Sequence, residues 1–236
     1  MKSIPRSELD SDICEPYRAL AFLAQSRRSC RAFRAEPLPR PTIEHILAVA
    51  QRTPSWCNVQ PWQVAVTSHE GTERLRASYI GRQTSAAQPD LPFPTGYNEP
   101  YATRRRECAR QLYESVGIPK GDRAAASRQA EKNFAFFDAP HVAIITTDRR
   151  IGVYGAIDCG AYVYAFLLAA QSLGVAAIAQ ASLARHPDLV RSFFDLPTDR
   201  LVVCGISFGW AAEEEPVNTF RTSRVNLSEL ATFVDK

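Results

Sequence analysis

Histidine is scarce in this chain, with four residues in 236, and none stands at metal-ligand spacing from another or from the six cysteines. The cysteines, at 14, 30, 57, 108, 159 and 204, form no C-x-x-C pair. A zinc site is therefore not expected. A G-x-G-x-x-G fingerprint is also missing, which removes the usual sequence sign of a nicotinamide-binding Rossmann unit. Net charge is only +3 with the two signs interspersed, and no dense Lys/Arg face accompanies a nucleic-acid motif, so no nucleic-acid partner is expected. Anionic small molecules remain plausible partners. The most apolar stretch, Cys159 to Ala170, is too short to cross a bilayer and reads as a buried helix, so no membrane partner is expected. Lys2, Arg6, Glu8, Asp10 and Asp12 interrupt any apolar leader. A cytoplasmic protein with free thiols is the natural expectation. No Gly/Ser-rich linker, repeat or low-complexity tract divides the chain, and 45% hydrophobic residues suffice for a sizeable core. One domain over residues 1–236 follows as the expectation.

Two segments are chemically dense. Pro54, Ser55, Trp56, Cys57, Asn58, Val59, Gln60, Pro61 and Trp62 crowd two amides, a hydroxyl and two prolines into one connector. Such a span resembles a preformed polar site, although an ordinary loop draws on the same residue types. Upstream, RRSCRAF at 27–33 gathers three arginines and a serine, a set suited to phosphate or another small anion when it is not simply a solvated surface.

Periodicity places these segments on a framework. Pro16 to Gln25 reads as a helix, and Thr42 is positioned to cap a second one whose Ile43, Ile46, Leu47 and Ala50 share a face. That helix delivers the polar loop at 54, and Gln63 to Thr67 follows as a strand. A helix from Thr72 leads to a proline-rich stretch beginning at Gln88. Tyr101–Val116 and Asp122–Phe137 read as two more helices, so residues 88–137 form a lid-like excursion. His141–Thr147 is a β-branched run typical of a central strand, and Asp158–Leu173 is a core helix stopped by Gly174. Val175–Ala181 and Leu201–Phe208 complete the strands, with a helix opened by Pro187 between them. Trp62 reads as core. Pattern alone supports mixed α and β structure and leaves the doubly wound and antiparallel alternatives open.

The ordered combination of R-R-S-x-R-x-F at 27–33 and P-S-x-x-N-x-Q-P-W at 54–62 resembles the nitroreductase family of flavin enzymes. LLAAQSLGVAAIAQASLA at 167–184, LVVCGISFGW at 201–210 and RTSR at 221–224 extend that resemblance over nearly all the chain after about residue 20. The resemblance implies an α+β fold in which helices wrap a mostly antiparallel central sheet. It also implies an intertwined homodimer with FMN sites built from both chains, the tail at 213–236 being ordered on a partner. Phe220, Leu227, Leu230, Phe233 and Val234 are the tail's candidate anchors, and folding back onto its own subunit is the simpler alternative.

By the same resemblance, Arg27, Arg28, Ser29 and Arg31 correspond to contacts with the phosphate and pyrimidine edge of FMN, Arg31 standing nearest the ring. A cation at that edge would stabilise the anionic reduced flavin. Pro54, Ser55, Trp56, Asn58 and Gln60 match the segment that meets the ring and ribityl hydroxyls, often across the dimer interface. Trp56 replaces a residue that is often small in the family. Gln180, Ala181, Ser182 and Leu183 match the segment whose backbone approaches flavin N5, and Arg221 and Arg224 match the basic pair at the phosphate. Arg106 and Arg110 share a helical face where a carboxylate or the phosphate of NADPH would fit, a solvated face being the simpler reading. The implied activity is transfer of hydride from NADH or NADPH through FMN to a small aromatic substrate such as a nitroaromatic. Reductive dehalogenation, alkene reduction, flavin fragmentation and flavin binding without turnover are the alternatives.

Overall fold

The computed structural model describes residues 14–82 and 85–235. Lys2 to Asp12, from which the lack of a leader is read, and the final Lys236 lie outside the described residues. The described chain runs α1 (Glu15–Ser26), α2 (Arg40–Ala50), β1 (Gln63–Ser68), α3 (Glu70–Ile80), α4 (Tyr101–Ser115), α5 (Arg123–Glu131), β2 (His141–Asp148), α6 (Gly152–Ser172), β3 (Ala176–Gln180), α7 (Pro187–Phe194), β4 (Arg200–Gly209) and a one-turn α8 (Leu227–Leu230). The four strands form one sheet in the order β1-β2-β4-β3. All three pairings are antiparallel. This is the antiparallel alternative, since a doubly wound sheet requires parallel neighbours.

β2 explains why its sequence is an unbroken apolar run. Val142 and Ile144 pack into one core with Leu75, Tyr79, Phe136, Val190 and Val202, while Ala143 and Ile145 pack into a second with Ile46, Trp62, Tyr162, Phe166 and Phe208. A strand covered on both faces has no polar side to show. Trp62 is buried as expected, and its indole N–H donates to Gln51 Oε1 at 3.0 Å.

Several element ends differ from the sequence expectation. Thr42 caps nothing, because α2 begins at Arg40 with Pro39 in the cap position and Pro41 inside the first turn. Proline's fixed φ favours such starts without a capping side chain. Asp122 does cap α5, accepting from the Ala125 N–H at 2.9 Å. That helix stops at Glu131, short of Phe137, because Phe136, Phe137 and Asp138 take left-handed backbone angles. The turn they make drives Phe136 and Phe137 into the core.

The long helix α6 is larger than its most apolar stretch indicated. With the turn that precedes it, Arg149–Ser172 is a 24-residue helical run whose most apolar 18-residue stretch has a mean hydropathy of 1.5, long and apolar enough by length and composition to cross a membrane. Here Cys159, Tyr162, Phe166 and Ala170 lie buried against the sheet, while Val153, Tyr154, Ile157 and Tyr164 are exposed. Gly174, with φ of 70°, follows its C-terminus in the left-handed position that ends helices cheaply.

Candidate active site

The N-terminal basic segment is stitched to the sheet and to the tail by main-chain bonds. Ser29 forms a parallel bridge with Ala177 of β3, and Phe33 an antiparallel bridge with Ala211. Buried Asn218 completes the seam. Its Oδ1 accepts from Arg31 N–H at 2.8 Å, and its Nδ2 donates to Ala32 O at 2.9 Å and Ala212 O at 2.8 Å. A single amide in the tail thus fixes the register of the basic segment. Nothing in the sequence around Asn218 distinguishes it from a turn residue.

Along this seam three guanidiniums gather. Arg28 pairs with Glu213, and Arg221 has its pKa lowered first by burial and then by the positive charge of Arg28. Arg31 lies over the Phe220 ring at 5.4 Å from its centre, donates to Ser29 O at 3.2 Å, and also has its pKa lowered by burial. Nε of Arg27 and Nε of Arg28 are cut off from solvent with no hydrogen-bond partner among the described residues. Unpaired buried donors are costly. A phosphate reaching them would satisfy that demand with charge-assisted bonds, so the residues fit the phosphate end of FMN.

The bridge at Ala177 brings the same seam to the turn after β3. Gln180 is buried, donating through Nε2 to Asn133 O at 3.0 Å and Asn133 Oδ1 at 3.2 Å, while Ser182 Oγ donates to Asn133 Oδ1 at 3.1 Å. Asn133 therefore holds the turn in place. Its sequence context, at the end of a helix, carries no sign of this. Ala181 is exposed, whereas Leu183 is fully buried, with its carbonyl accepting from the Tyr79 hydroxyl at 2.5 Å. A Cβ on Gly205 of β4 would meet Leu183 Cδ1 at 2.4 Å. The turn rests on β4 only because that position has no side chain. Gln180 and Leu183 face inward, and Ala181, with only a methyl side chain, is where the turn exposes its backbone.

The Pro54 loop stands apart. It carries three non-glycine residues at positive φ, Cys57 (47°), Asn58 (57°) and Gln60 (45°), a strained geometry that functional loops often hold. Its own side chains maintain it. Gln60 N–H donates to Ser55 Oγ at 2.9 Å, Gln60 Nε2 to Asn58 O at 3.2 Å and Gln51 Nε2 to Gln60 Oε1 at 3.0 Å. Trp56 N–H donates to Asp158 Oδ2 of α6 at 3.2 Å, and its ring meets Tyr154 edge-on at 4.1 Å. Pro54 and Asn58 are exposed, and the Asn58 carboxamide forms no hydrogen bond among the described residues. No hydrogen bond or bridge joins this loop to residues 27–31 among the described residues. Within one subunit the two dense segments belong to different regions.

Arg224 also departs from the cluster. It donates to Thr222 O, Thr222 Oγ1 and Ser223 O within its own segment, and lines a cavity of about 230 Å³ against α4. On α4 the simpler reading holds for Arg106 and Arg110. Glu99 pairs with Arg106, and Glu107 and Glu114 pair with Arg110.

A profile of the nitroreductase family matches residues 24–210. The chain belongs to the nitroreductase family. Among nitroreductases it is 36% identical to a chloronitrobenzene nitroreductase of Comamonas testosteroni over 90% of this chain and 95% of that protein. It is 34% identical to a 4-nitrobenzoate reductase of Nocardioides over 97% of each. The crystal structure of the FMN-dependent nitroreductase NfnB from Mycobacterium smegmatis, in complex with NADPH, superposes with a TM-score of 0.88 at 30% identity, covering 93% of this chain and all of that one. The family profile ends at Trp210, before the tail that supplies Asn218, Arg221 and Arg224.

Proposed function

We propose that this nitroreductase-family chain is an FMN-dependent oxidoreductase that takes hydride from NADH or NADPH and reduces a small electron-poor aromatic, a nitroaromatic in the first instance. The carrying observation is the seam of Arg27, Arg28, Arg31 and Arg221 beside the turn after β3, with two buried guanidinium N–H groups lacking partners. When bound, FMN supplies the redox chemistry, accepting hydride at N5 and passing it on. Arg27, Arg28 and Arg221 would hold its phosphate, and Arg31 would supply positive charge to the ring. The backbone at Ala181 and Ser182, kept in place by Asn133, would be the part of this turn available to the flavin ring. Donor and aromatic substrate occupy the same face in turn, so initial-velocity lines at varied donor are expected to run parallel.

The site is completed by a second copy of the chain. Val153, Tyr154 and Ile157 of α6, Tyr17, Leu20 and Phe22 of α1, and Leu227, Leu230, Phe233 and Val234 of the tail are exposed large apolar residues, more than a monomer ordinarily leaves to water. The Pro54 loop sits on that α6 face through Trp56 and Tyr154, so an isologous dimer would carry Asn58 to the partner's arginine seam. Each chain is taken as one domain over 1–236, residues 88–137 as a lid, and the enzyme as cytoplasmic, without a nucleic-acid or membrane partner.

The test is the visible spectrum of the purified protein, before and after anaerobic NADPH and then NADH. A flavin band bleached by either donor is expected. Colourless protein that takes up no added FMN would overturn the reading.

A further inference from the structure

Among the 21 residues of α6, Asp158 is the one that carries a charge. Its side chain is buried where the helix lies tight against β2, since a Cβ on Gly155, one turn earlier, would meet Thr147 Oγ1 at 2.4 Å. No cation pairs with it among the described residues, and its one hydrogen bond there is accepted from Trp56 N–H at 3.2 Å. A buried carboxylate with a single neutral donor lowers stability relative to an apolar side chain of the same size. What it provides is geometry. Tyr154, four residues earlier on the same helical face, meets the Trp56 ring edge-on at 4.1 Å, so one turn of α6 holds both the main chain and the side chain of Trp56. The loop then turns through Cys57 and Asn58, both at positive φ, and Asn58 N–H donates to Ser55 O at 3.0 Å. At its far end, Pro61 O accepts from Arg200 Nη2 at 3.1 Å, and Arg200 is itself buried, donating to Thr146 O at 2.9 Å. Charged side chains of the framework thus clamp the loop at both ends, and the end nearer Asn58 belongs to Asp158.

We infer that Asp158 is a positioning residue for cofactor binding, its carboxylate accepting the Trp56 N–H and so holding the strained loop in the conformation that presents the Asn58 carboxamide. What the loop contacts rests on the oxidoreductase reading, in which Asn58 meets the ring and ribityl chain of FMN. That Asp158 sets the loop conformation does not rest on it. The role needs an acceptor atom and not a charge, because a single N–H is all that is bound there. Asparagine supplies the same acceptor in the same place, and leucine similar bulk without it.

The test compares wild type, Asp158→Asn and Asp158→Leu. Hydrogen–deuterium exchange of residues 54–62 is followed by mass spectrometry on the flavin-free chain, FMN and riboflavin dissociation constants by flavin fluorescence, and melting by circular dichroism. Asp158→Leu should exchange the loop faster and weaken FMN and riboflavin alike by about three- to tenfold, the cost of ordering the loop without that hydrogen bond. The ratio of the two affinities, which reads the phosphate, should not move. Its melting temperature should stay level or rise, because a lone buried carboxylate has gone. Affinity lost without stability is a result that a merely structural residue does not give. Asp158→Asn should match wild type within about twofold in exchange and in affinity, which is less than the loss of a hydrogen bond. If leucine does not fold, Asp158→Ala removes the acceptor with less bulk and makes the same comparison. Wild-type exchange and affinity in the variant without an acceptor overturn the inference, as does an Asp158→Asn that is equally impaired. A wild type that binds no flavin sinks the oxidoreductase reading instead. The exchange rates then decide, faster loop exchange in Asp158→Leu alone supporting the positioning role and unchanged exchange overturning it.

Discussion

Arg31 binds its surroundings through main chain and side chain at once, with Asn218 on its N–H and Phe220 beneath its guanidinium. Removing the side chain leaves the seam intact and removes only the charge presented to a ligand. Arg31→Ala is therefore expected to weaken FMN by about 10- to 100-fold, the roughly 1.5–3 kcal/mol of a charged hydrogen bond, with little change in melting temperature. Equilibrium dialysis beside thermal unfolding checks both halves. Gly205 behaves oppositely. Its missing Cβ is what allows Leu183 and the turn after β3 to lie on β4, so Gly205→Ala should cost about 1–3 kcal/mol of overpacking. Denaturant unfolding measures that cost, and FMN affinity should fall with it because the turn is displaced. The arginines and the polar loop could be picked out by composition. Gly205, Asn133 and Asn218 could not, because each acts on a neighbour between 22 and 187 positions away along the chain or across the sheet, and local pattern carries no trace of such pairing.

At the scale of elements, the tail separates into two parts. Up to Phe220 it is knitted to the basic segment, while Leu227, Leu230, Phe233 and Val234 stand 75%, 72%, 81% and 81% exposed. Those four side chains are not buried on their own subunit. Truncation after Val225 should leave the subunit fold and its circular dichroism nearly unchanged while shifting the protein toward monomer in light scattering at micromolar concentration. A truncated chain that stays fully dimeric would show that α6 and α1 suffice. The helix ends were less legible than the helices themselves. Proline starts in α2 and left-handed turns after α5 are decided by what the next residue must pack against, Phe136 and Phe137 in the core.

For the whole molecule, pH acts through buried imidazoles. His141 is fully buried, with Nε2 accepting from Leu38 N–H at 2.8 Å and Nδ1 3.3 Å from Thr67 O. That arrangement requires the neutral ring. Burial is the largest cause holding its pKa below the ordinary histidine value, with the neighbouring His69 acting the same way. His186 is lowered too, by burial first and Arg185 next. In both, the unfolded chain binds protons more readily, so the stability they contribute is complete above about pH 6.5 and is lost as pH falls from there through the folded values. Each adds at most about 1.4 kcal/mol per pH unit over that window. Urea midpoints between pH 7.5 and 5 should decline, and His141→Gln should flatten part of the decline while lowering the plateau. A flat profile in the wild type would contradict the buried neutral assignment.

What the amino-acid order determined alone was the family and its local chemistry. The basic segment, the loop at 54, the apolar strand at 141 and the long apolar helix are each written within a few residues, where composition and periodicity act. Tertiary structure decided which of them meet. It joined Arg28, Arg31 and Arg221 through Asn218, placed the Pro54 loop on a different face, set Asp158 against Trp56, and left one side of α6 bare. Those outcomes depend on hydrogen bonds and packing between residues distant in sequence, which are satisfied only once the sheet has brought their elements together.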